Sequence, residues 1–340
     1  MGIKKRVFVT GGAGYIGSHT CVELLKNNYE VMVFDDLSNS SKKSLKCVEL
    51  ITNRNLDLVI GDIRDINALN DAMTAFRPDC VMHFAGLKAV EQSVEKPLIY
   101  YDINVIGSIN LLQSMAKAGC CEIVFSSSAT VYGNACEPPY NEMLPGTPVS
   151  PYGRTKLMVE NILQDWTSSN DLNRAVILRY FNPVGAHSSG MIGEDPKDTP
   201  NNLMPLIVQV AQKKRAELSI FGSEYPTRDG TGERDYIHVV DLANGHVKAL
   251  ANINNLGKYQ NLNLGSGKST TVQELIATFE TVNNVLVPTK IVQRRPGDVA
   301  KSLADPTLAS EMIGFECKKT IEQMCIDAWN WVQKNPNGYS

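Results

Sequence analysis

The sequence holds no Cys-x-x-Cys pair, no Cys/His group at zinc-ligand spacing, and no apolar run near the ~20 residues that cross a bilayer. Its eight cysteines (Cys21, Cys47, Cys80, Cys120, Cys121, Cys136, Cys317, Cys325) are scattered, which excludes a disulfide framework and reads as reduced, mostly buried thiols. The five histidines (His19, His83, His187, His238, His246) are equally dispersed and read as hydrogen-bonded structural residues, with no metal expected. Charge of neither sign is in excess: 33 basic against 36 acidic residues give a net charge of −3. With a pI near 6.0 and no basic stripe with interleaved aromatics, no nucleic-acid partner is expected. The apolar run Val7-Phe8-Val9 is too short for a signal peptide, and Arg6 stands where a myristoylation signal needs Ser or Thr. The expectation is a cytoplasmic protein with no membrane association. Asn39-Ser40-Ser41 is then a glycosylation sequon by letter only. Internal repeats and low-complexity tracts are absent as well.

What is present is a globular composition of 340 residues, 43% hydrophobic and 20% charged, enough for two lobes with a cleft between them. Lys5 to Thr10 reads as a short buried strand, and Gly11-Gly12-Ala13-Gly14-Tyr15-Ile16-Gly17 follows it directly before a run of helical period. Gly12, Gly14 and Gly17 satisfy G-x-G-x-x-G, while Gly11, Gly14 and Gly17 satisfy the wider G-x-x-G-x-x-G. Glycine is needed there for a tight turn, for approach of a pyrophosphate to bare backbone, and for close strand–helix packing. Between a strand and a helix this pattern predicts dinucleotide binding. The next strand, Glu30 to Phe34, ends at Asp35, whose carboxylate suits adenosine ribose hydroxyls and repels a 2′-phosphate, so NAD is predicted over NADP.

Further strands are predicted at Asp57 to Ile60, Cys80 to Phe84, Glu122 to Phe125 and Ala175 to Leu178, with helices at Ile66 to Phe76 and Tyr101 to Ala118 between them. Alternation of this kind predicts an α/β fold, a Rossmann doubly wound parallel sheet, over residues 1–180. Past Gly185 the chain becomes rich in Gly, Pro, Asp and Ser over 186–202. A helix near Leu203 to Lys214 and a strand at Leu218 to Phe221 follow. Residues 181–340 are read as a smaller mixed α/β lobe, with segments around 235–265 crossing back to the first. Gly265-Ser-Gly-Lys-Ser-Thr270 looks like a P-loop but has Leu262 where the first glycine belongs, so turn formation and helix capping by Ser269 or Thr270 is predicted instead.

The chemistry centres on Tyr152-Gly-Arg-Thr-Lys156, downstream of Ser126-Ser127-Ser128. If Ser150-Pro151 opens a helix, Tyr152 and Lys156 share one face, a turn apart. A phenol with an unperturbed pKa near ~10 becomes a useful base beside an ammonium, and a serine hydroxyl can bridge it to a substrate alcohol. The spacing alone arises by chance on many helices; its company at predicted strand ends gives it weight. Arg234, Arg295 and Asp298 fall in turn-rich segments, where the arginines suit a diphosphate.

Long blocks of the chain resemble the extended short-chain dehydrogenase/reductase family and, within it, the UDP-hexose 4-epimerases. They are Val9-Thr10-Gly-Gly-Ala-Gly-Tyr-Ile-Gly-Ser-His-Thr20, His83-Phe-Ala-Gly-Leu-Lys-Ala-Val90, Phe125-Ser-Ser-Ser-Ala-Thr-Val-Tyr-Gly133, Ser150-Pro-Tyr-Gly-Arg-Thr-Lys156, Arg179-Tyr-Phe-Asn-Pro-Val-Gly-Ala-His187, Asn201-Asn-Leu-Met-Pro205 and Gly230-Thr-Gly-Glu-Arg-Asp-Tyr-Ile-His238. The resemblance implies that Ser128 joins Tyr152 and Lys156 in catalysis. It implies an NAD site of Gly11, Gly14, Tyr15, Ile16, Gly17, Asp35, Asp62, Ile63, Phe84, Ala85, Lys88, Asn104 and Tyr180, shared with Tyr152 and Lys156. A UDP-sugar would be held by Ser128, Asn182, Asn202, Leu203, Phe221, Arg234, Tyr236, Arg295 and Asp298. In such enzymes resident NAD⁺ takes hydride from C4 of the sugar, the 4-keto sugar turns over, and hydride returns to its other face. Dehydratase relatives need an acid/base pair after the serine, and Ala129-Thr130 supply no carboxylate. Ser302 stands where relatives confined to plain hexoses resemble one another in carrying tyrosine, so UDP-N-acetylhexosamines are expected as substrates too. A homodimer through Tyr101 to Ala118 and Pro151 to Ser168 is implied as well. Two other readings stand beside this one: a relative acting on UDP-hexuronic acids or releasing NADH as a reductase, and an NAD-binding redox regulator that could dispense with Tyr152 and Lys156.

Overall fold

In a computed structural model the described residues are 5–134, 137–197, 200, 202–295 and 298–339; Cys136 and Asn201, named above, lie outside them. The first half alternates β1 (Arg6–Thr10), α1 (Tyr15–Lys26), β2 (Glu30–Asp35), α2 (Lys42–Thr52), β3 (Asp57–Ile60), α3 (Ile66–Phe76) and β4 (Cys80–His83). Two short helices, α4 (Val90–Glu95) and α5 (Pro97–Tyr100), lead through a π-helical turn at Tyr101–Ile106 into α6 (Gly107–Ala118). The helix predicted over Tyr101 to Ala118 is thus continuous, its first six residues wound as a π-helix. Then come β5 (Glu122–Ser128), α7 (Pro151–Ser169), β6 (Arg174–Tyr180) and β7 (Asn182–Val184). The remainder is α8 (Leu203–Ala211), β8 (Leu218–Phe221), β9 (Glu233–His238), α9 (Val239–Asn252), β10 (Tyr259–Leu264), β11 (Ser269–Thr271), α10 (Val272–Asn283), β12 (Thr289–Val292), β13 (Lys301–Ser302), α11 (Thr307–Ile313) and α12 (Ile321–Lys334). The helix expected to reach Lys214 stops three residues earlier, at Ala211.

Seven parallel strands form the main sheet in the order β10-β6-β5-β4-β1-β2-β3. This is the doubly wound Rossmann arrangement, whose order reverses between β1 and β4 and opens a ligand crevice at that point. Strands covered on both faces must be apolar throughout, and β4 (CVMH) and the Val7–Val9 run of β1 are wholly buried. One core gathers β1, β2, α1, α2 and α9 with β10; another gathers α3, α6 and α7 under the opposite face. Chain from the second half thus completes the first half's sheet, β10 pairing with β6 from Tyr259↔Ala175 to Leu264↔Tyr180. The rest of that half builds two small sheets, β11-β9-β13 with β7 on β9, and β12-β8, over a third core. Among the described residues no helix is long and apolar enough to cross a membrane.

The glycine loop is closely packed against backbone. Gly11 has φ +70°, and a Cβ there would meet Ala85 N at 2.6 Å, because the backbone leaving β4 passes directly against it. A Cβ on Gly17 would lie 2.3 Å from the Gly11 carbonyl oxygen. Backbone cannot give way as a side-chain tip can, so Gly17→Ala is expected to lower unfolding free energy by ~1–3 kcal/mol in urea denaturation. Unchanged stability would show that the loop is slack.

Candidate active site

Strand alternation sorts the serine run. Ser126 and Ser128 face one side of the sheet and Ser127 the other. Ser126 Oγ hydrogen-bonds the Tyr180 hydroxyl, and Ser127 Oγ donates to Glu160 Oε1. Ser128, last in β5, accepts from Thr130 N (3.2 Å) and Thr130 Oγ1 (3.0 Å). Helix α7 opens as predicted: Ser150 caps it by accepting from Gly153 N at 3.1 Å, and Pro151 fills the first turn where no N–H is missed. Its axis brings Tyr152 to Ser128 and Lys156 beneath Ser126. Lys156 Nζ donates to the Ser126 carbonyl at 2.8 Å and lies 5.9 Å from the Tyr152 ring centre.

All three groups are buried, and burial dominates their protonation. It pushes the Tyr152 phenol up to about 12, with only the Ser128 hydrogen bond working downward. Burial also pulls Lys156 down to about 8, against the opposing pull of the Glu160 carboxylate. The lysine-lowered phenol expected from the i,i+4 spacing is therefore not the balance in the protein alone. Desolvation of the buried phenol sets that balance.

At the crevice between β1 and β4 the predicted cofactor residues assemble. Gly14 is the N-cap of α1 and offers no side chain, so the amides of Tyr15 and Ile16 are left to an anion from outside. Asp35, buried at the end of β2, accepts from Leu37 N (2.9 Å) and Ser40 Oγ (2.8 Å) on Oδ1 but only from Ala13 N (2.9 Å) on Oδ2. That leaves capacity for a ribose hydroxyl. Phe84 and Ala85 continue from β4, the Phe84 ring 4.8 Å from His246. Asn104 sits within the π-helical turn and clamps the following loop: its amide accepts from Leu87 N (2.8 Å) and donates to Leu87 O (3.0 Å) and Thr155 Oγ1 (3.0 Å). Its place is thus to shape the crevice. Asp62 and Ile63 lie past the edge strand β3, where Arg64 engages the Asp62 carboxylate and holds it below the usual range.

A second group gathers on β8, β9 and β13. The Arg234 guanidinium meets Asp298, Arg295 lies 3.8 Å over the Phe221 ring, and Ser302 pairs with Arg234 across the strands. Tyr236 is buried two residues along β9, and Asn182 Nδ2 donates to the neighbouring Asp235 carbonyl at 3.0 Å. Leu203 opens α8 after its N-cap Asn202.

Several residues were not singled out in the sequence. Glu194 joins Lys88 (3.1 Å) to Asn202 (3.4 Å), binding the two halves of the chain across the crevice. Tyr225 lies 4.1 Å under Arg294, its hydroxyl 3.5 Å from Asp298. Glu160 and Arg179 form a buried ion pair behind Ser127. The signal for Glu160 was available, since it continues the Tyr152, Lys156 spacing by one more turn. The P-loop lookalike holds an anion, but an internal one: Asp235 accepts from Ser266 N (2.8 Å), Ser266 Oγ (2.7 Å), Gly267 N (3.0 Å) and Ala304 N (3.1 Å). The helix after it is capped by Thr271, one residue beyond the predicted positions, in a capping box with Glu274. Each histidine bonds through at least one ring nitrogen, and the seven described cysteines are unpaired. Among the described residues no group of His, Cys, Asp or Glu is placed to hold a metal ion.

Known proteins share this arrangement. The GDP-mannose 4,6 dehydratase family model matches residues 8–328. The UDP-glucose 4-epimerase of Bacillus subtilis is 50% identical over 333 residues, 98% of either chain. The crystal structure of UDP-glucose-4-epimerase from Stenotrophomonas maltophila, with bound NAD and formylated UDP-arabinopyranose, superposes with TM-score 0.95 at 46% identity, covering 98% of this chain and 99% of that one. The UDP-Glc/GlcNAc 4-epimerase of Campylobacter jejuni superposes with TM-score 0.85 at 32% identity over 97% and 99% of the two chains. With half its residues shared end to end and the glycine crevice, Ser128, Tyr152 and Lys156 all in place, the chain belongs to the UDP-glucose 4-epimerase family of the extended short-chain dehydrogenase/reductases.

Proposed function

We propose that this protein is an NAD-dependent UDP-hexose 4-epimerase that interconverts UDP-glucose with UDP-galactose, and UDP-N-acetylglucosamine with UDP-N-acetylgalactosamine. The observation that carries the reading is the Ser128–Tyr152–Lys156 group, buried at the strand ends beside a crevice fitted for a dinucleotide. Two glycines that admit no Cβ, an uncapped helix N-terminus and a strand-end carboxylate with spare acceptor capacity suit NAD's pyrophosphate and ribose. Bound NAD supplies both hydride acceptor and donor, so the sugar's oxidation and re-reduction at C4 need no second substrate. Tyr152 takes the 4-hydroxyl proton and later returns it, Ser128 hydrogen-bonds the same oxygen, and Lys156 is the nearby cation that favours the phenolate. Arg234, Arg295 and Asn202 hold the diphosphate, Phe221 and Tyr236 flank the uridine, and Asp298 orients Arg234. Anchoring at the nucleotide leaves the hexose free to present either face.

In this reading residues 1–180 form the dinucleotide lobe and 181–340 the UDP-sugar lobe, with α9 and β10 returned to the first. Thr130, which follows Ser128, contributes a hydroxyl and no carboxylate, which favours epimerisation over dehydration. The small side chain of Ser302 beside Arg234 supports the acetamido substrates, as does likeness to the Campylobacter UDP-Glc/GlcNAc enzyme. Leu98 (81% exposed), Ile106 (50%), Ile109 and Met158 put an apolar surface on the α5–α6 and α7 faces, which supports a homodimer. Unpaired cysteines fit a reducing cytoplasm.

Purified protein given each UDP-sugar without added cofactor should interconvert both pairs catalytically. Conversion that proceeds only with cofactor added in stoichiometric amount would mark a reductase instead. Ser302→Tyr should abolish the acetamido pair and spare UDP-glucose and UDP-galactose; equal loss of both would overturn the role of Ser302. Light scattering should give a mass near twice 37.4 kDa, and Met158→Glu should bring it to one chain.

A further inference from the structure

Tyr152, Lys156 and Glu160 are spaced four residues apart, so all three stand on one face of α7. The first two meet the strand ends, and the third reaches one turn deeper. Glu160 is 1% exposed and takes a two-pronged hold on β6: Arg179 Nε donates to Oε1 at 3.0 Å and Nη2 to Oε2 at 2.6 Å. The Ser127 hydroxyl donates to the same Oε1 from β5. Ser127, Arg179 and Asn263 are register neighbours on β5, β6 and β10, so they form one polar row across three strands. Tyr132 closes the row, its hydroxyl accepting from Arg179 Nη1 (3.2 Å) and donating to Asn263 Oδ1 (2.7 Å). Asn263 Nδ2 then donates to the Tyr140 carbonyl at 2.9 Å, and Tyr140 N to the Leu303 carbonyl at 2.8 Å, next to Ser302.

We propose that Glu160 is a positioning residue: through Arg179 and Ser127 it fixes the height of α7 on β5 and β6, and thereby sets the Tyr152 phenol on Ser128. This rests on the epimerase reading above and adds to it the group that holds the base in place. A buried ion pair adds little net stability compared with an apolar pair of the same size. What a two-pronged guanidinium–carboxylate contact does supply is a fixed distance and angle between helix and sheet. Apolar residues packed at this spot would let α7 slide by fractions of an ångström, and misplacement of a reacting group by about 1 Å can cost ~100-fold in rate. The carboxylate also faces Lys156 and favours its ammonium. The other groups around that lysine and phenol are the His83 imidazole from β4, held neutral by burial, the Ser126 carbonyl and Phe125 ring from β5, Tyr180 from β6 and Tyr100 from α5. None of these is an anion at neutral pH, so Glu160 is the negative charge Lys156 meets.

Two variants separate position from charge. Glu160→Asp keeps the charge and shortens the arm by one methylene. The pair Glu160→Gln with Arg179→Gln removes both charges and the two-pronged contact, and leaves no buried ion uncompensated. Both should fold, as read by thermal unfolding. In both, kcat for UDP-glucose should fall about 10- to 100-fold while KM stays within about twofold. In the double variant alone, loss of the carboxylate lowers the Lys156 pKa, so the alkaline limb of kcat should move to lower pH. Ultraviolet titration of the phenol, with Tyr152→Phe as blank, should show it ionising at higher pH in both variants without any turnover, because the Ser128 hydrogen bond that lowers it is slackened. Wild-type kcat in both folded variants would overturn the proposal. So would a fall in kcat that tracks lost thermal stability and leaves the alkaline limb and the phenol titration unmoved. If the unmodified protein fails to epimerise, the functional reading falls, and the phenol titration still decides the positioning role.

Discussion

Burial of one phenol is the constraint around which the rest of the molecule is arranged. A tyrosine in water ionises near ~10, and removing it from water makes ionisation harder still. Tyr152 is taken up to about 12 in the protein. Its base strength, once ionised, is correspondingly high. The problem the fold must solve is to keep that group dry and in register with an alcohol while holding a cation near. Ser128 supplies the register, and Lys156, braced on the Ser126 carbonyl, supplies the cation. Because Lys156 is pulled to about 8, it is mostly an ammonium at neutral pH and sits close enough to its midpoint to respond to neighbouring charge.

Sheet topology explains why these groups meet at all. Parallel strands send every carboxyl end to one edge, and the reversal of order between β1 and β4 opens a gap there. Gly11 and Gly17 fill the gap with bare backbone, Asp35 closes its far side, and the serine run ends on its near side. The second half of the chain does more than cover this edge. It returns β10 to the sheet and reaches back through Glu194 to Lys88, so the crevice has walls from both halves.

Much of this was legible in the residues. Apolar runs marked β1 to β6, the first four ending near glycine or aspartate, and Ser150-Pro151 marked the start of α7, because those signals are local. The π-helical turn at Tyr101–Ile106 was not, since the same residues serve i→i+4 and i→i+5 hydrogen bonding alike and tertiary packing chooses. Nor was the occupant of the Gly265–Thr270 loop: Asp235 comes from a strand thirty residues earlier, and only its pairing with β11 brings it there. The Glu160–Arg179 contact escaped for a like reason, being a product of how α7 packs on β6. Lys156 was legible in part: spacing put it one turn from Tyr152, but spacing says nothing about the Ser126 carbonyl that its Nζ meets.

The central claim is that the Tyr152 hydroxyl is the group that takes and returns the sugar's proton. The direct measurement is single-turnover and steady-state epimerisation of UDP-glucose by Tyr152→Phe, alongside its retained nucleotide content. Loss of kcat by about 100-fold or more, with fold and bound NAD intact, is the predicted result. Full turnover by that variant would contradict it.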